Sequence, residues 1–342
     1  MRNVTLIGID TAKNVFHFHA VDNNGKEVYQ RKLSRSQLLE FLSNHPPCSI
    51  AIEACSASYH WAREFNNLGF STKIISARYV KRYASTRNKN DFNDAKAIVK
   101  AARDPDIHEV AQKSIQQQEM QAVHTLRDGL VRSRTATINR LRALLTEFGI
   151  VLPKSRQKLM NLLPLVLDED LKLTELTRQL VHDQYDLVKY FDAEISKQDK
   201  RIKSFARQSE RAVRLQEIPG VGPILSTALT YMIADPKVYK SGRQCSAALG
   251  LTPKEHSTGG KQRLGSISGE GNSYLRKILV QGAQAVLARA HKRQNEPLLR
   301  WAYELKIKKN NNLAAVALAN KIVRIAWALL VNDTKFAYKA SV

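Results

Sequence analysis

The chain has 342 residues, and its 54 Lys and Arg against 31 Asp and Glu give a formal net charge of +23 at pH 7. A folded protein this basic is expected to bind a polyanion, with nucleic acid as the first candidate. No apolar run approaches the length of a membrane span. The N-terminus shows no signal-peptide pattern, and the three cysteines show no metal-ligand spacing. These features argue against a membrane protein, a disulfide scaffold and a zinc site, and we expect a cytoplasmic protein.

The first 104 residues mix strand-like and helix-like patterns. Strands are predicted at 4–9, 15–21, 27–33, 48–53 and 72–75. Helices are predicted at 36–44, 59–68, 77–83 and from 91 to about 103. The order βββαβαβα predicts a mixed sheet flanked by helices.

Four acids stand at the ends of these elements. Asp10 and Glu53 each end a strand, where sites are commonly assembled in α/β sheets. Asp91 and Asp94 lie three residues apart in a helical pattern and therefore share a face. An alternative explanation is an ordinary helix start, with Asn90 as N-cap and the two acids favoured by the helix dipole. Converging carboxylates would instead hold Mg²⁺, which prefers oxygen ligands, with Mn²⁺ as a substitute.

From about 105 to 210 the pattern becomes helical. One helix is predicted over 115–148, with arginines that include Arg127 and Arg134 among the positions of its apolar side: Leu126, Leu130, Ile138, Leu141, Leu145 and Phe148. A second is predicted over 168–205, with a coiled-coil seam at Leu173, Leu176, Leu180, Gln184, Leu187, Phe191, Ile195, Gln198, Ile202 and Phe205. The seam shows that a partner helix exists, and both an intramolecular hairpin and a dimerisation arm carrying basic residues against nucleic acid fit it.

The third region, 211–342, opens with Ile218-Pro219-Gly220-Val221-Gly222, which predicts the turn of a helix-hairpin-helix element. Gly220 and Gly222 would let backbone N–H groups at the next helix start bind a phosphate. The alternative is an ordinary turn between two helices. A last, mostly apolar helix is predicted at 310–330, packed against the rest of this region.

A polar loop at 254–272 follows the glycine turn, and it is rich in Gly, Ser and basic residues. Its cations could hold a DNA phosphate, and a serine hydroxyl there could attack it. The alternative is a phosphate-binding loop without covalent chemistry, and spacing alone leaves Ser257, Ser266 and Ser268 equally possible. The basic residues predicted to contact nucleic acid here are Lys254, Lys261 and Arg263, with Arg276 and Lys277 in the following helix.

Strand-end acids, the hairpin meander and the helical D-x-x-D pair make the first region resemble the RuvC/RNase H-like nucleases. The whole chain resembles the DEDD transposases of insertion sequences, which are relatives of the Piv-type DNA invertases. The resemblance rests on Ile7-Gly8-Ile9-Asp10-Thr11-Ala12-Lys13, Ile52-Glu53-Ala54, Asn88-Lys89-Asn90-Asp91-Phe92-Asn93-Asp94-Ala95, Ile218-Pro219-Gly220-Val221-Gly222, Gly250-Leu251-Thr252-Pro253 and His256-Ser257-Thr258-Gly259-Gly260-Lys261.

This resemblance implies a fold class of α/β plus all-α: a RuvC-like domain at 1–104, a helical coiled-coil domain at 105–210 and a mostly helical transposase domain at 211–342. It implies that Ser257 bonds covalently to DNA and that Asp10, Glu53, Asp91 and Asp94, supplied by a partner subunit, bind Mg²⁺ beside it. It also implies donor and target DNA, a structured non-coding guide RNA and a dimer or tetramer. A nucleoid-associated protein is then expected.

Three other functions compete with this one. A metal-dependent RuvC-like nuclease or junction resolvase would use the four acids alone and leave the Ser257 loop without a role. A sugar-kinase or actin-like ATPase, suggested by Gly8-Ile9-Asp10-Thr11, would need a second phosphate loop and an adenosine motif, and the sequence contains neither. A nucleic-acid-binding protein with inactive acids would bind without recombining DNA.

Overall fold

The computed structural model describes residues 3–84, 90–169 and 173–337. Its backbone contacts divide the chain into two compact units. The first comprises Met1–Ser114 with Ala234–Lys240, and the second comprises Ile115–Ile233 with Ser241–Val342. The division into three domains at residues 104 and 210 stays a prediction.

The first unit is built on a five-stranded mixed sheet with the strand order β3-β2-β1-β4-β5. Its strands are β1 (Leu6–Thr11), β2 (Val15–Val21), β3 (Glu27–Ser34), β4 (Ser49–Glu53) and β5 (Ser71–Ile75). Its helices are α1 (Arg35–Ser43), α2 (Ser58–Asn67), α3 (Ala77–Tyr83) and α4 (Asp91–Arg103). The mixed α/β sheet and the element order predicted from the sequence are confirmed to within two residues at each boundary.

The pairing of β1 fixes where the first acids stand. Strand β1 is antiparallel to β2 and parallel to β4, and Ile9 pairs with Ile52. Asp10 and Glu53 directly follow this pair, so parallel neighbours end in acids at the same edge of the sheet. Both faces of β1 are buried, because α1 and α2 cover one face and α4 covers the other.

The second unit starts with long helices. They are α5 (Ile115–Glu147), α6 (Arg156–Glu169) and α7 (Glu175–Gln208). Ion pairs join Arg127 to Asp199 and Arg134 to Asp192, so α5 and α7 run antiparallel. The prediction for α5 is confirmed. The single helix predicted over 168–205 is wrong at its start, because Thr174 caps α7 by accepting a hydrogen bond from the Thr177 backbone N–H.

The burial of α7 follows the predicted seam positions in the second half of the helix and departs from them in the first half, and the coiled coil itself stays a prediction. Ile195, Gln198 and Ile202 are buried as expected. In the first half Val181 and Val188 are buried, whereas the predicted Leu180 is 46% exposed. Leu180 and Leu187 form one apolar row along α7, and Val181 and Val188 form a second row beside it. The sequence pattern fits both rows equally and does not decide which of them faces α5. Other predicted apolar positions that prove exposed are Leu176 at 66% and Leu126 on α5 at 58%.

The remaining helices are α8 (Glu210–Leu215), α9 (Pro223–Met232), α10 (Gly242–Ala248), α11 (Ser273–Leu287), α12 (Pro297–Lys308) and α13 (Asn311–Asn332). Between α10 and α11 the chain forms an antiparallel hairpin of β6 (Pro253–Glu255) and β7 (Leu264–Ile267). The region 254–272, predicted as a polar loop, is therefore partly a β-hairpin. Helix α13 is apolar and long enough to cross a membrane by length and composition, but it packs against α10, α11 and α12 as a core helix, as predicted.

Candidate functional site

Three of the four predicted acids converge. Asp10 is the second-last residue of β1, and Asp91 and Asp94 lie in the first turn of α4. One carboxylate oxygen of each lies within 4.8 Å of those of the other two. Glu53 is outside this set of three but follows the β1–β4 pair at the adjacent position. The structure thus brings the four acids to one edge of the sheet, with three of them in direct proximity.

The electrostatics of this edge disfavour four free carboxylates. Burial raises the pKa of Asp10, and the nearby Asp94 and Asp91 raise it further. Burial also raises the pKa of Glu53, with additional contributions from Asp10 and Asp94. A divalent cation would offset this repulsion, and a donor set made only of carboxylate oxygens suits a hard ion. The residues therefore fit a divalent metal.

Helix α4 also begins as an ordinary helix does. The Asn90 side-chain oxygen accepts a hydrogen bond of 2.8 Å from the Asn93 backbone N–H. The two explanations of Asp91 and Asp94 are therefore compatible, since the same first turn that favours acids by the helix dipole also points them at Asp10.

Gly8 lets α4 approach β1. A Cβ at this position would lie 2.5 Å from the Ala95 carbonyl oxygen and 2.6 Å from a methyl group of Val99. Backbone of α4 thus lies directly against β1, two residues before Asp10. The close approach brings the first turn of α4 to the end of the strand.

We expect Gly8→Ala to weaken the acidic site as well as the fold. The added methyl must push α4 outward, and overpacking of this kind costs about 1–3 kcal/mol. Thermal unfolding should show a lower melting temperature, and titration with Mn²⁺ should show weaker binding. Gly129→Ala is the matched control, because Gly129 lies within α5 and a Cβ there would meet no atom within 4 Å. An unchanged melting temperature for Gly8→Ala would contradict the packing argument.

Ser257 lies in the exposed turn between β6 and β7. Its hydroxyl donates a hydrogen bond of 2.6 Å to Oε1 of Glu255 and accepts one of 3.2 Å from the Arg263 backbone N–H. Within the described ranges, no side-chain hydrogen bond is formed by Ser266 or Ser268. Ser257 is thus the one of the three candidate serines whose hydroxyl is oriented by a carboxylate.

Comparison with known proteins places both regions in one family. Residues 7–150 match a family model described as Transposase, and residues 212–298 match one described as Transposase IS116/IS110/IS902 family. A probable family 20 transposase of Pseudomonas aeruginosa is 40% identical over 97% of this chain and 98% of its own length. The transposase for insertion sequence element IS1328 of Yersinia enterocolitica is 38% identical over 98% of this chain and 100% of its own. The chain belongs to the IS110/IS116 family of insertion-sequence transposases.

A further relative, the transposase for insertion sequence element IS1111A of Coxiella burnetii, is 36% identical over 98% of this chain and 92% of its own length. Membership makes the protein a DNA transposase and implies that it requires a divalent metal. The acids Asp10, Asp91 and Asp94 lie inside the first matched region and Ser257 lies inside the second.

The basic residues of the transposase divide into two groups. Arg127 and Arg134 were predicted to contact nucleic acid, but their guanidinium groups pair with Asp199 and Asp192, and their side chains are only 18% and 20% exposed. They connect α5 to α7, and their contact with nucleic acid stays a prediction.

Two further predicted contacts are also engaged within the chain. Lys277 pairs with the buried Asp128, and Arg276 donates to the carbonyl oxygens of Leu249 and Glu270. By contrast, no acid in the described part of the chain pairs with the exposed side chains around Ser257, which are those of Lys254, Lys261 and Arg263. Nucleic-acid contact stays a prediction for Arg276 and Lys277 as well as for the exposed Lys254, Lys261 and Arg263.

We expect Lys261→Gln and Arg134→Gln to act differently on DNA binding. A lysine that neutralises one phosphate contributes about 1 to the slope of log affinity against log salt, so Lys261→Gln should reduce that slope by about 1. Arg134→Gln should leave the slope unchanged and lower the stability, by about 1 kcal/mol, because it breaks a partly buried ion pair. Fluorescence anisotropy at several salt concentrations and thermal unfolding measure the two effects. A reduced slope for Arg134→Gln would support its predicted contact with nucleic acid.

The predicted helix-hairpin-helix turn lies between α8 and α9. Gly220 has φ +88°, and a Cβ there would lie 2.7 Å from a Val286 methyl group and 3.1 Å from the Gly282 carbonyl oxygen. Its backbone therefore packs on α11. Gly222 caps α9 and has open space around it. Phosphate binding by Gly220 and Gly222 stays a prediction, and the open position of Gly222 is the better placed for it.

Two residues at these sites, Glu255 and His17, were not predicted from the sequence. Glu255 stands two positions before Ser257, and its proximity in sequence was the available signal. His17 lies directly opposite Asp10 across the β1–β2 pair. The alternating pattern of β2 could have placed it on the face of Asp10, because facing residues of an antiparallel pair point to the same side of the sheet.

Proposed function

We propose that this transposase cuts and rejoins DNA through a covalent bond between Ser257 and a DNA phosphate. The observation that carries the proposal is the oriented hydroxyl of Ser257 in an exposed hairpin whose exposed cations can hold a phosphate. The Ser257 oxygen forms a bond to phosphorus, and the bond from phosphorus to the neighbouring nucleotide breaks. One proton leaves the serine, and the freed DNA hydroxyl takes one up.

The exchange conserves the phosphoester bond. A DNA hydroxyl can therefore attack the serine–DNA bond in the reverse sense and join a new strand without ATP. Lys254, Lys261 and Arg263 would bind the phosphate and stabilise the negative charge that develops on it. The conserved phosphoester bond favours strand exchange over hydrolysis. Hydrolysis would use water as the attacking group and would leave the DNA cut.

The acidic residues Asp10, Glu53, Asp91 and Asp94 would hold the divalent metal. Mg²⁺ is the ion that best suits such a set, and when bound it would polarise a phosphate oxygen. The acids and the serine belong to different compact units of the chain. The family resemblance supports a composite site in which a second copy supplies the acids, and therefore a dimer or tetramer.

We further propose that a structured RNA from the same element selects the DNA sites. The resemblance to DEDD transposases supports this, and the net charge of +23 suits a protein that holds RNA and DNA together. Base pairing would then carry sequence specificity, while the protein binds the backbones. The α5–α7 pair, with its exposed Leu126 and Leu180, is the part we propose for contact with another subunit or with nucleic acid.

The test is a reaction of the full chain with element-end DNA, target DNA, Mg²⁺ and the non-coding RNA that flanks the reading frame. After denaturation, labelled DNA should migrate with the protein, and its appearance should require both the RNA and the metal. Cut DNA without any covalent adduct would support the RuvC-like nuclease instead. An adduct that forms equally without RNA would contradict the guided part of the proposal.

We expect Glu255 to orient Ser257 for this attack. Glu255→Ala removes the acceptor and should slow adduct formation about 10- to 100-fold, since misplaced reacting groups cost this much. Glu255→Gln keeps an accepting oxygen and should retain most of the rate. Quantifying adduct against time for both variants checks this. Equal losses in the two would assign proton transfer, and not orientation, to Glu255.

A further inference from the structure

A buried imidazole stands beside the acidic set and has no assigned role. His17 lies on β2 opposite Asp10 and is 6% exposed. Its Nδ1 atom is buried and makes no hydrogen bond to any described residue. A buried polar atom without a partner is costly, by about 1–3 kcal/mol, and such atoms in native proteins call for an explanation.

The surroundings of His17 aim this atom at one carboxylate. Nδ1 lies 3.5 Å from Oδ2 of Asp91, slightly longer than a hydrogen bond. The ring of Phe92 contacts the imidazole edge to face, with 4.8 Å between ring centroids and 81° between planes. Burial in the sheet and contact with Phe92 hold the imidazole in place, so its direction is set by packing.

Of the three converging acids, Asp91 is the one whose carboxylate gains most from a hydrogen bond that fixes its position. Its side chain is 65% exposed, whereas Asp10 and Asp94 are partly buried. An exposed carboxylate has several accessible rotamers and loses that freedom when it binds a cation. A hydrogen-bond donor fixed beside it would reduce this loss.

We propose that His17 is a positioning residue that holds the Asp91 carboxylate toward a divalent cation shared with Asp10 and Asp94. This inference rests on the metal site of the proposed function. His17 acts through Asp91 and not as a ligand, because the set of ligand atoms within 4.8 Å of one another contains the three acids and not the imidazole. Carboxylate ligands are commonly fixed by such outer hydrogen bonds, whose loss weakens metal binding about 10- to 100-fold.

Two substitutions separate the hydrogen bond from the packing of the ring. His17→Phe keeps a ring against Phe92 but has no N–H donor. His17→Asn loses the ring and places an amide N–H close to the position of Nδ1. His19→Asn is the control, since His19 is similarly buried on the same face of β2 but faces Glu27, 3.5 Å away.

Mn²⁺ titration of the full chain, followed by electron paramagnetic resonance, gives a readout independent of activity. We expect His17→Phe to weaken Mn²⁺ binding about 10-fold without lowering the melting temperature of the metal-free protein. His17→Asn should stay near the wild type, within about threefold, and His19→Asn should bind like the wild type. In an Asp91→Ala background, His17→Phe should have no further effect, because the accepting oxygen of its partner is gone.

Wild-type affinity for Mn²⁺ in His17→Phe would overturn the inference, as would a further loss in the Asp91→Ala background. The variant Asp10→Asn separates a failure of the His17 inference from a failure of the proposed metal site. If Asp10→Asn abolishes Mn²⁺ binding while His17→Phe does not change it, the metal site stands and the role of His17 falls. If neither changes binding, the acidic set is not the metal site, and both fall together.

Discussion

Ser257→Ala should abolish strand exchange and the covalent protein–DNA adduct together, while the protein still folds and still binds DNA. The substitution removes the attacking oxygen and leaves the hairpin backbone and its cations in place. Loss of a nucleophile typically costs at least about 1,000-fold in rate, so both products should fall below detection. Denaturing gels with end-labelled DNA measure the adduct, and sequencing of joined products measures the exchange.

The matched controls are Ser266→Ala and Ser268→Ala. Both serines lie in the same hairpin region, and neither hydroxyl is held by a carboxylate in the described structure. Both control variants should still form the covalent protein–DNA adduct. If Ser257→Ala still forms it and one of the controls does not, the nucleophile is misassigned. If all three variants cut DNA equally and without an adduct, the metal-only nuclease replaces the serine mechanism.

Asp10→Asn should abolish activity and raise the stability of the metal-free protein. The carboxylate of Asp10 is partly buried and faces Asp94 and Asp91, and both effects raise its pKa. An acid whose pKa is raised on folding contributes stability at low pH, and this stability is lost as the pH rises through the folded-state pKa. At neutral pH the charged Asp10 therefore destabilises the fold, and a neutral amide relieves the repulsion.

Thermal unfolding with and without Mg²⁺ checks this prediction. In the wild type, Mg²⁺ should raise the melting temperature, because an ion that binds only the folded state stabilises it. Asp10→Asn should melt higher than the metal-free wild type and should lose the response to Mg²⁺. The control Asp106→Asn changes an acid of the same unit outside the set, and should keep the response. A lower melting temperature for Asp10→Asn would contradict the electrostatic description of the site.

The first unit could be predicted from the sequence because its signals are local. Alternating and continuous apolar runs defined the strands, and Asn90 marked the start of α4. The parallel pairing of β1 with β4 then placed Asp10 and Glu53 at one edge. By contrast, the ion pairs of Arg127 and Arg134 could not be predicted, since a basic residue on an amphipathic helix looks the same whether it meets DNA or an aspartate 58 to 72 residues away.

The pair Asp91 and Asp94 shows where local sequence stops and tertiary structure begins. The residues around them are enough to specify a helix start with two acids on one face, because capping and helical periodicity act over a few residues. The meeting of this face with Asp10 is a tertiary event, since the approach depends on Gly8 admitting the backbone of α4. The same holds for His17 beside these acids and for Glu255 holding Ser257. Such contacts depend on register and packing across elements, which local patterns do not encode.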